Sequence, residues 1–239
     1  MAGLGYAFLT GRDAKITIEA DAGLVGRVLE SMRGYRRFPA LAAVFVDRDG
    51  VINVNRSGFV ASIGDLEFLP HAVTALVRLS KAGNRVFVVT NQAAVGRGQL
   101  SPVEAWSINQ HVVDTVTSAG GRIAAVLMCS HRPEHACTCR KPQPGLLRIA
   151  QQQYGVDLRT AYLVGDHWSD IVAGAAVGCT TILALSGRWR ETAPNTAVTP
   201  GHVVPDLARA VGVIVNLEAR RNAAEPLPIA HGLAQAGGS

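Results

Sequence analysis

From residue 41 onward, short apolar runs alternate with amphipathic stretches. Residues 41–46 (LAAVFV) are apolar throughout and stop at Asp47, Arg48, Asp49 and Gly50. A run of that length, rich in β-branched and aromatic residues and closed by polar ones, reads as a buried parallel strand with a loop at its carboxyl end. Runs of the same kind occupy 85–89, 123–128, 161–164 and 180–184. Helical patterns fill the gaps at 70–82, 101–119, 144–154, 169–177 and 205–217. Ser101, Pro102 and Glu104 form an N-cap, N1 and N3 set for the second of these. The alternation predicts an α/β, Rossmann-like doubly wound parallel sheet with helices on both faces. Ligands of such sheets bind outside the carboxyl ends of the strands.

The ends of the chain lack this pattern. Residues 1–40 carry no readable motif and are expected to be an N-terminal extension of unknown role. Residues 41–220 are expected to form one domain, and 221–239, rich in Ala, Gly and Pro, a flexible tail.

Composition narrows the class. Hydrophobic residues make up 48% and charged residues 17% of the 239, which excludes a disordered charged chain. The net charge is +5, carried by 20 arginines and only three lysines (Lys15, Lys81 and Lys141). The arginines are scattered, so no nucleic-acid arm is expected, whereas a mildly basic surface suits an anionic small molecule. No run of 18 apolar residues exists and no basic segment precedes an apolar one at the start, so no membrane contact is expected and the cytoplasm is the expected location. Nothing demands an oligomer, and a monomer is expected.

Chemistry-bearing residues gather at the strand ends. FVDRDGVIN (45–53) places Asp47 and Asp49 just past a strand, where one carboxylate can attack phosphorus while the other handles the leaving-group proton. VVTNQ (88–92) places the Thr90 hydroxyl at the end of the second strand, and Lys141 in CRKPQPG can neutralise a phosphate. VGDHWSD (164–170) places Asp166 after a strand, where a carboxylate suits Mg2+, with Asp170 at the start of the next helix. Taken singly, the first three motifs read more readily as an Asp-Gly turn, a Thr-Asn turn and a solvated lysine, and Asp170 reads equally as a helix N-terminal carboxylate.

Residues 129–139 (CSHRPEHACTC) offer three thiols and two imidazoles. Cys129, Cys137 and Cys139 with one histidine suit a closed tetrahedral Zn2+ site of structural type. Spacing alone leaves His131 and His135 both open as the fourth ligand. Cys179, after Gly178 and before a strand, reads as a small buried hydrophobe.

Four motifs in this order, each at a strand's carboxyl end, resemble the haloacid dehalogenase superfamily of phosphatases over about residues 41–185. The resemblance implies that Asp47 is the nucleophile that becomes an aspartyl phosphate and Asp49 the general acid and base. It implies Thr90, Asn91 and Lys141 as phosphate contacts, and Asp47, Asp166 and the Asp49 carbonyl as Mg2+ ligands. The inserted C-x-H-x5-C-x-C loop is similar to that of a subgroup that holds heptose bisphosphate and histidinol-phosphate phosphatases, and it favours His131 over His135. Within that subgroup, DRDGVIN with Asn53 and TNQAAVGRGQLS resemble the heptose enzymes more closely, and Arg140 matches a substrate-phosphate contact. Residues 54–68 match the substrate-facing flap, and there is almost no cap between Asp49 and Thr90. The expected substrate is therefore a phosphorylated sugar. The rivals are histidinol-phosphate hydrolysis, and a zinc-loop binding protein without catalysis. His167, where relatives often carry lysine, and the Ala93–Ala94 pair depart from the pattern.

Overall fold

The computed structural model describes residues 7–10, 15–17, 42–191 and 198–224. Its strands are β1 (Ala7–Thr10), β2 (Lys15–Thr17), β3 (Ala43–Val46), β4 (Arg85–Asn91), β5 (Ala125–Cys129), β6 (Tyr162–Gly165), β7 (Thr180–Ala184) and β8 (His202–Val204). They form one sheet in the order β2-β1-β5-β4-β3-β6-β7-β8. All neighbours pair in parallel except β1 with β2, which pair antiparallel. The helices are α1 (Ala72–Lys81), α2 (Ala93–Gly96), α3 (Pro102–Ser118), α4 (Gly145–Tyr154), α5 (Trp168–Ala175) and α6 (Leu207–Ala224).

Side chains of successive strand residues point to opposite faces, and the two cores follow that alternation. Val44, Val46, Val86, Val88, Val126 and Met128 pack with apolar residues of α1, α3 and α6. Ala43, Phe45, Phe87, Val89, Ala125 and Leu127 pack with α4 and with Ala173 of α5. The Phe45 and Phe87 rings lie 5.3 Å apart between centroids on that second face. With both faces covered, the strands must be apolar at every position, which is why they appear as continuous runs.

All five strand runs and all five helical patterns correspond to elements. Ser101 caps α3 as expected: its side chain accepts from the Glu104 N–H and the Glu104 carboxylate accepts from the Ser101 N–H. Three departures concern extent. α6 continues to Ala224, seven residues past the expected end and into the stretch read as a tail; residues 225–239 lie outside the described residues. β8 and α2 carry no expectation, because three or four residues are too few to show a period. β1 and β2 lie in the stretch given no element, and they extend the sheet beyond β5. Among the described residues no helix is long and apolar enough to cross a membrane.

Candidate active site

The carboxyl ends of β3, β4 and β6 bring the motifs together. Asp47 leaves β3 with its N–H still bonded to Val164 O at 2.9 Å, so the strand ladder aims it. The Arg48 carbonyl then accepts from the N–H groups of Ile52 and Asn53 at 2.8 and 3.1 Å, closing a tight turn. Gly50 sits in that turn at φ +86°, and a Cβ there would strike the Asp166 carboxylate. Both the left-handed backbone and the lack of space require glycine.

Lys141 is buried beneath this turn. Its Nζ lies 2.8 Å from Asp47 Oδ1, pairs with Asp170 Oδ1, and donates to Val89 O at 2.9 Å. Asp47 Oδ1 also accepts from the Arg48 N–H at 2.8 Å. Asp170 uses its other oxygen to cap α5, accepting from the His167 N–H at 3.2 Å. Burial works against the Lys141 charge, but Asp170 and Asp47 hold its pKa above the ordinary lysine value.

Asp47, Asp166 and Asp170 offer carboxylate oxygens that all lie within 4.8 Å of one another. Burial pushes Asp47 well above the usual carboxylate range; Lys141 pulls it down, and Asp170 and Asp166 push it up again. Burial and then the Asp170 charge push Asp166 up to about 6. Asp166 Oδ2 accepts from the Arg188 N–H at 2.8 Å, whereas its Oδ1 is buried with no hydrogen-bond partner. An orphaned buried oxygen among three carboxylates, offset by one lysine, fits a hard divalent cation that binds through oxygen.

Asp49 faces a different set of groups. Its Oδ1 accepts from Asn53 Nδ2 at 2.9 Å and its Oδ2 from Gln92 Nε2 at 2.7 Å. Arg48 forks onto both oxygens, with Nη2 at 3.0 Å from Oδ1 and 2.9 Å from Oδ2. Burial acts to raise the Asp49 pKa, but the Arg48 charge and the hydrogen bonds from Asn53, Gln92 and Arg48 outweigh it, so the carboxyl titrates below its usual value. The Asp49 carboxylate is thus not part of the cation cluster. The resemblance assigns only its carbonyl to that role.

The remaining expected contacts separate into two groups. Thr90 is the penultimate residue of β4 and its Oγ1 accepts from Gln92 Nε2 at 2.8 Å. Arg140, half-buried, lines a cavity of about 250 Å³ with Pro133, Ala136, Cys137 and Lys141. Asn91 and Asn53 hold other site residues. Asn91 bonds the Lys141 backbone, and Asn53, fully buried, bonds Asp49. Arg48, Gln92 and Asn109 were not anticipated; a D-x-D pattern carries no signal for its middle residue.

Cys129, His131, Cys137 and Cys139 bring their ligand atoms within 4.8 Å of one another. The Sγ atoms lie 3.4 to 3.7 Å apart, and His131 Nδ1 is 3.2 Å from Cys139 Sγ. Zn–S bonds of about 2.3 Å in a tetrahedron separate sulfurs by about 3.8 Å, so this set of three sulfurs and one nitrogen fits zinc with little adjustment. Of the two histidines, His131 is the one that joins the cluster; His135 Nε2 accepts from Arg132 Nε at 3.2 Å. Gly96 of α2 and Gly145 of α4 press on this loop so closely that a Cβ on either would strike its backbone.

The HAD-hydrolase-like family model matches residues 138–210. The D-glycero-beta-D-manno-heptose-1,7-bisphosphate 7-phosphatase of Pseudomonas aeruginosa is 32% identical over 172 residues, 72% of this chain and 97% of that protein. The protein of the same name from Bordetella bronchiseptica is 35% identical over 166 residues, 69% of this chain and 93% of that one. The chain belongs to this family of haloacid dehalogenase phosphatases. A solved member, the D,D-heptose 1,7-bisphosphate phosphatase from B. bronchiseptica complexed with magnesium and phosphate, matches with a TM-score of 0.70 at 32% identity over 74% of this chain and 99% of that one. The haloacid dehalogenase fold thus accounts for the parallel sheet.

Proposed function

We propose that this protein is a Mg2+-dependent phosphatase that removes the 7-phosphate of D-glycero-D-manno-heptose 1,7-bisphosphate, a step towards nucleotide-activated heptose. The observation that carries the reading is the pairing of Asp47 with Lys141 beside Asp166, with Asp49 held apart from them.

In this reading the negative substrate phosphate favours uptake of a proton from solvent by the Asp49 carboxylate; an Asp47 oxygen attacks phosphorus as the bond from phosphorus to the sugar oxygen breaks, and Asp49 gives that proton to the sugar oxygen. Asp49 then takes a proton from water, which attacks the aspartyl phosphate and releases inorganic phosphate. Lys141 holds a phosphoryl oxygen from below, Thr90 from the end of β4, and Arg140 suits a substrate phosphate as a planar fork. Asp47, Asp166 and the Asp49 carbonyl would hold Mg2+, which when bound offsets charge on the transferring phosphoryl group. Cys129, His131, Cys137 and Cys139 would hold Zn2+ in a closed site, whose role is to set the loop that carries Arg140 and Lys141. The flap favours a sugar over an amine: Arg56 donates to the Asp65 backbone carbonyl at 3.0 Å and to the Glu67 carboxylate at 3.3 Å, and the Asp65 carboxylate accepts from Ser62 Oγ at 2.9 Å, so both acidic side chains of the flap are engaged.

The deciding experiment measures Mg2+-dependent phosphate release from both anomers of heptose 1,7-bisphosphate and from histidinol phosphate side by side. A clear preference for the heptose is expected. Equal rates, or a preference for histidinol phosphate, overturn the assignment.

A further inference from the structure

Arg48 is only 1% exposed. A buried cation costs several kcal/mol unless charge and hydrogen bonds are returned to it. On one side both come from a single carboxylate: Nη2 reaches both Asp49 oxygens, and Nε lies 3.2 Å from Oδ1. On the other side Nη1 donates to Asn109 Oδ1 at 2.9 Å. Asn109 sits on the buried face of α3 and its Nδ2 in turn reaches Met128 Sδ at 3.5 Å, on β5. A line of contacts therefore runs from β5 and α3 through Asn109 and Arg48 to Asp49. The carboxylate at its end is the most exposed member, at 21% for its side chain. A planar fork sets the plane of the carboxylate it holds, which a point charge cannot do.

We propose that Arg48, anchored by Asn109, is the positioning residue for Asp49 and sets the orientation from which Asp49 delivers its proton to the leaving sugar oxygen. The proposal rests on the reading of Asp49 as the general acid. In that step an oxygen of Asp47 bonds to phosphorus, the ester bond breaks with its electron pair going to the sugar oxygen, and the Asp49 proton moves to that oxygen. The need for the proton depends on the leaving group. A sugar alkoxide is a poor leaving group, whereas 4-nitrophenolate departs without one. Hydrolysis of the aspartyl phosphate is common to both substrates, whereas kcat/KM reads the departure of the leaving group, so loss of orientation weighs on kcat/KM for sugar phosphates and spares it for aryl phosphates, which general damage to the fold does not do.

The test compares wild type, Arg48→Met, Arg48→Lys, Asn109→Ala and Asp49→Asn on heptose 1,7-bisphosphate and on 4-nitrophenyl phosphate, with Mg2+ present and thermal melts of each protein. Arg48→Met is expected to lose at least about tenfold more kcat/KM on the sugar phosphate than on the aryl phosphate. Arg48→Lys restores little, because an ammonium is no fork, and Asn109→Ala shows the same selectivity at about threefold. Equal losses on both substrates in Arg48→Met and Asn109→Ala, beside a selective loss in Asp49→Asn, overturn the proposal and leave the acid reading standing. Equal losses in Asp49→Asn overturn both. If Arg48→Met does not fold, the Asn109→Ala ratio decides.

Discussion

The Asn91 side chain and the Lys141 backbone exchange two hydrogen bonds, Asn91 Nδ2 to Lys141 O at 3.0 Å and Lys141 N to Asn91 Oδ1 at 3.1 Å. The exchange copies one step of a strand ladder and fastens the loop after β5 to the end of β4. It places Lys141 where its ammonium can reach Asp47, Asp170 and Val89 O together. Asn91→Ala is expected to lower kcat/KM about tenfold and to weaken inhibition by inorganic phosphate, at a modest cost in Tm. Two hydrogen bonds of about 1 kcal/mol each are of that size. Steady-state kinetics with phosphate as inhibitor check it.

Asp47→Asn keeps the size of the side chain and removes the attacking oxygen. Turnover is expected to fall at least about a thousandfold while the circular dichroism spectrum stays native. Appreciable residual turnover contradicts the nucleophile role.

The buried carboxylates give the metal-free protein an unusual pH response. Asp166 titrates near 6 when folded and near 3.8 when unfolded. Between those values the folded state holds more protons, so stability is fully present below about pH 4 and falls as pH rises through 6. The loss is on the order of 3 kcal/mol for a carboxyl raised from 3.8 to about 6. The shift at Asp47 acts in the same sense. The depressed Asp49 has the opposite effect, lost only as pH falls below its unfolded value near 3.8. Metal-free protein is therefore expected to melt higher at pH 5 than at pH 7.5, and Mg2+ to raise Tm more at pH 7.5, where Asp166 is ionised. Thermal melts with and without Mg2+ at the two pH values test this.

Gly187 leaves no room beside Asp166: a Cβ there would strike its carboxylate. Gly187→Ala is expected to weaken Mg2+ activation about tenfold or more while Zn2+ content is unchanged. Titration of activity with Mg2+, together with elemental analysis of about one zinc per chain, checks both halves.

Cys179 should be chemically silent. Burial pushes its thiol up to about 12, and its side chain packs in the core beneath α4 and α5. Alkylation of the native protein at pH 8 is expected to leave Cys179 unmodified, with reaction only after unfolding, as mass spectrometry would show.

The framework was largely legible because each buried strand had to be apolar along its whole length, and each helix carried a stripe and a stop. The carboxylates of the candidate site were legible for a related reason, since polar residues directly after an apolar run have few structural duties there. The supporting residues were not. Arg48 resembles any of the 20 arginines until its burial is seen, and Asn109 lies inside a helical pattern that gives it no distinction. The bonds of Asn53 to Asp49 and of Asn91 to the Lys141 backbone likewise carry no signal in the sequence. A partner about 50 residues away, such as Lys141 for Asn91, leaves no trace in local pattern.

The pressure of Gly96 and Gly145 on the cysteine loop reaches further than packing. Among the described residues, two helices bear on the loop of 129–139 and Asn91 holds the chain just beyond it, so that side of the cleft cannot swing without dragging a helix. Selection on that side must come from the contour already present.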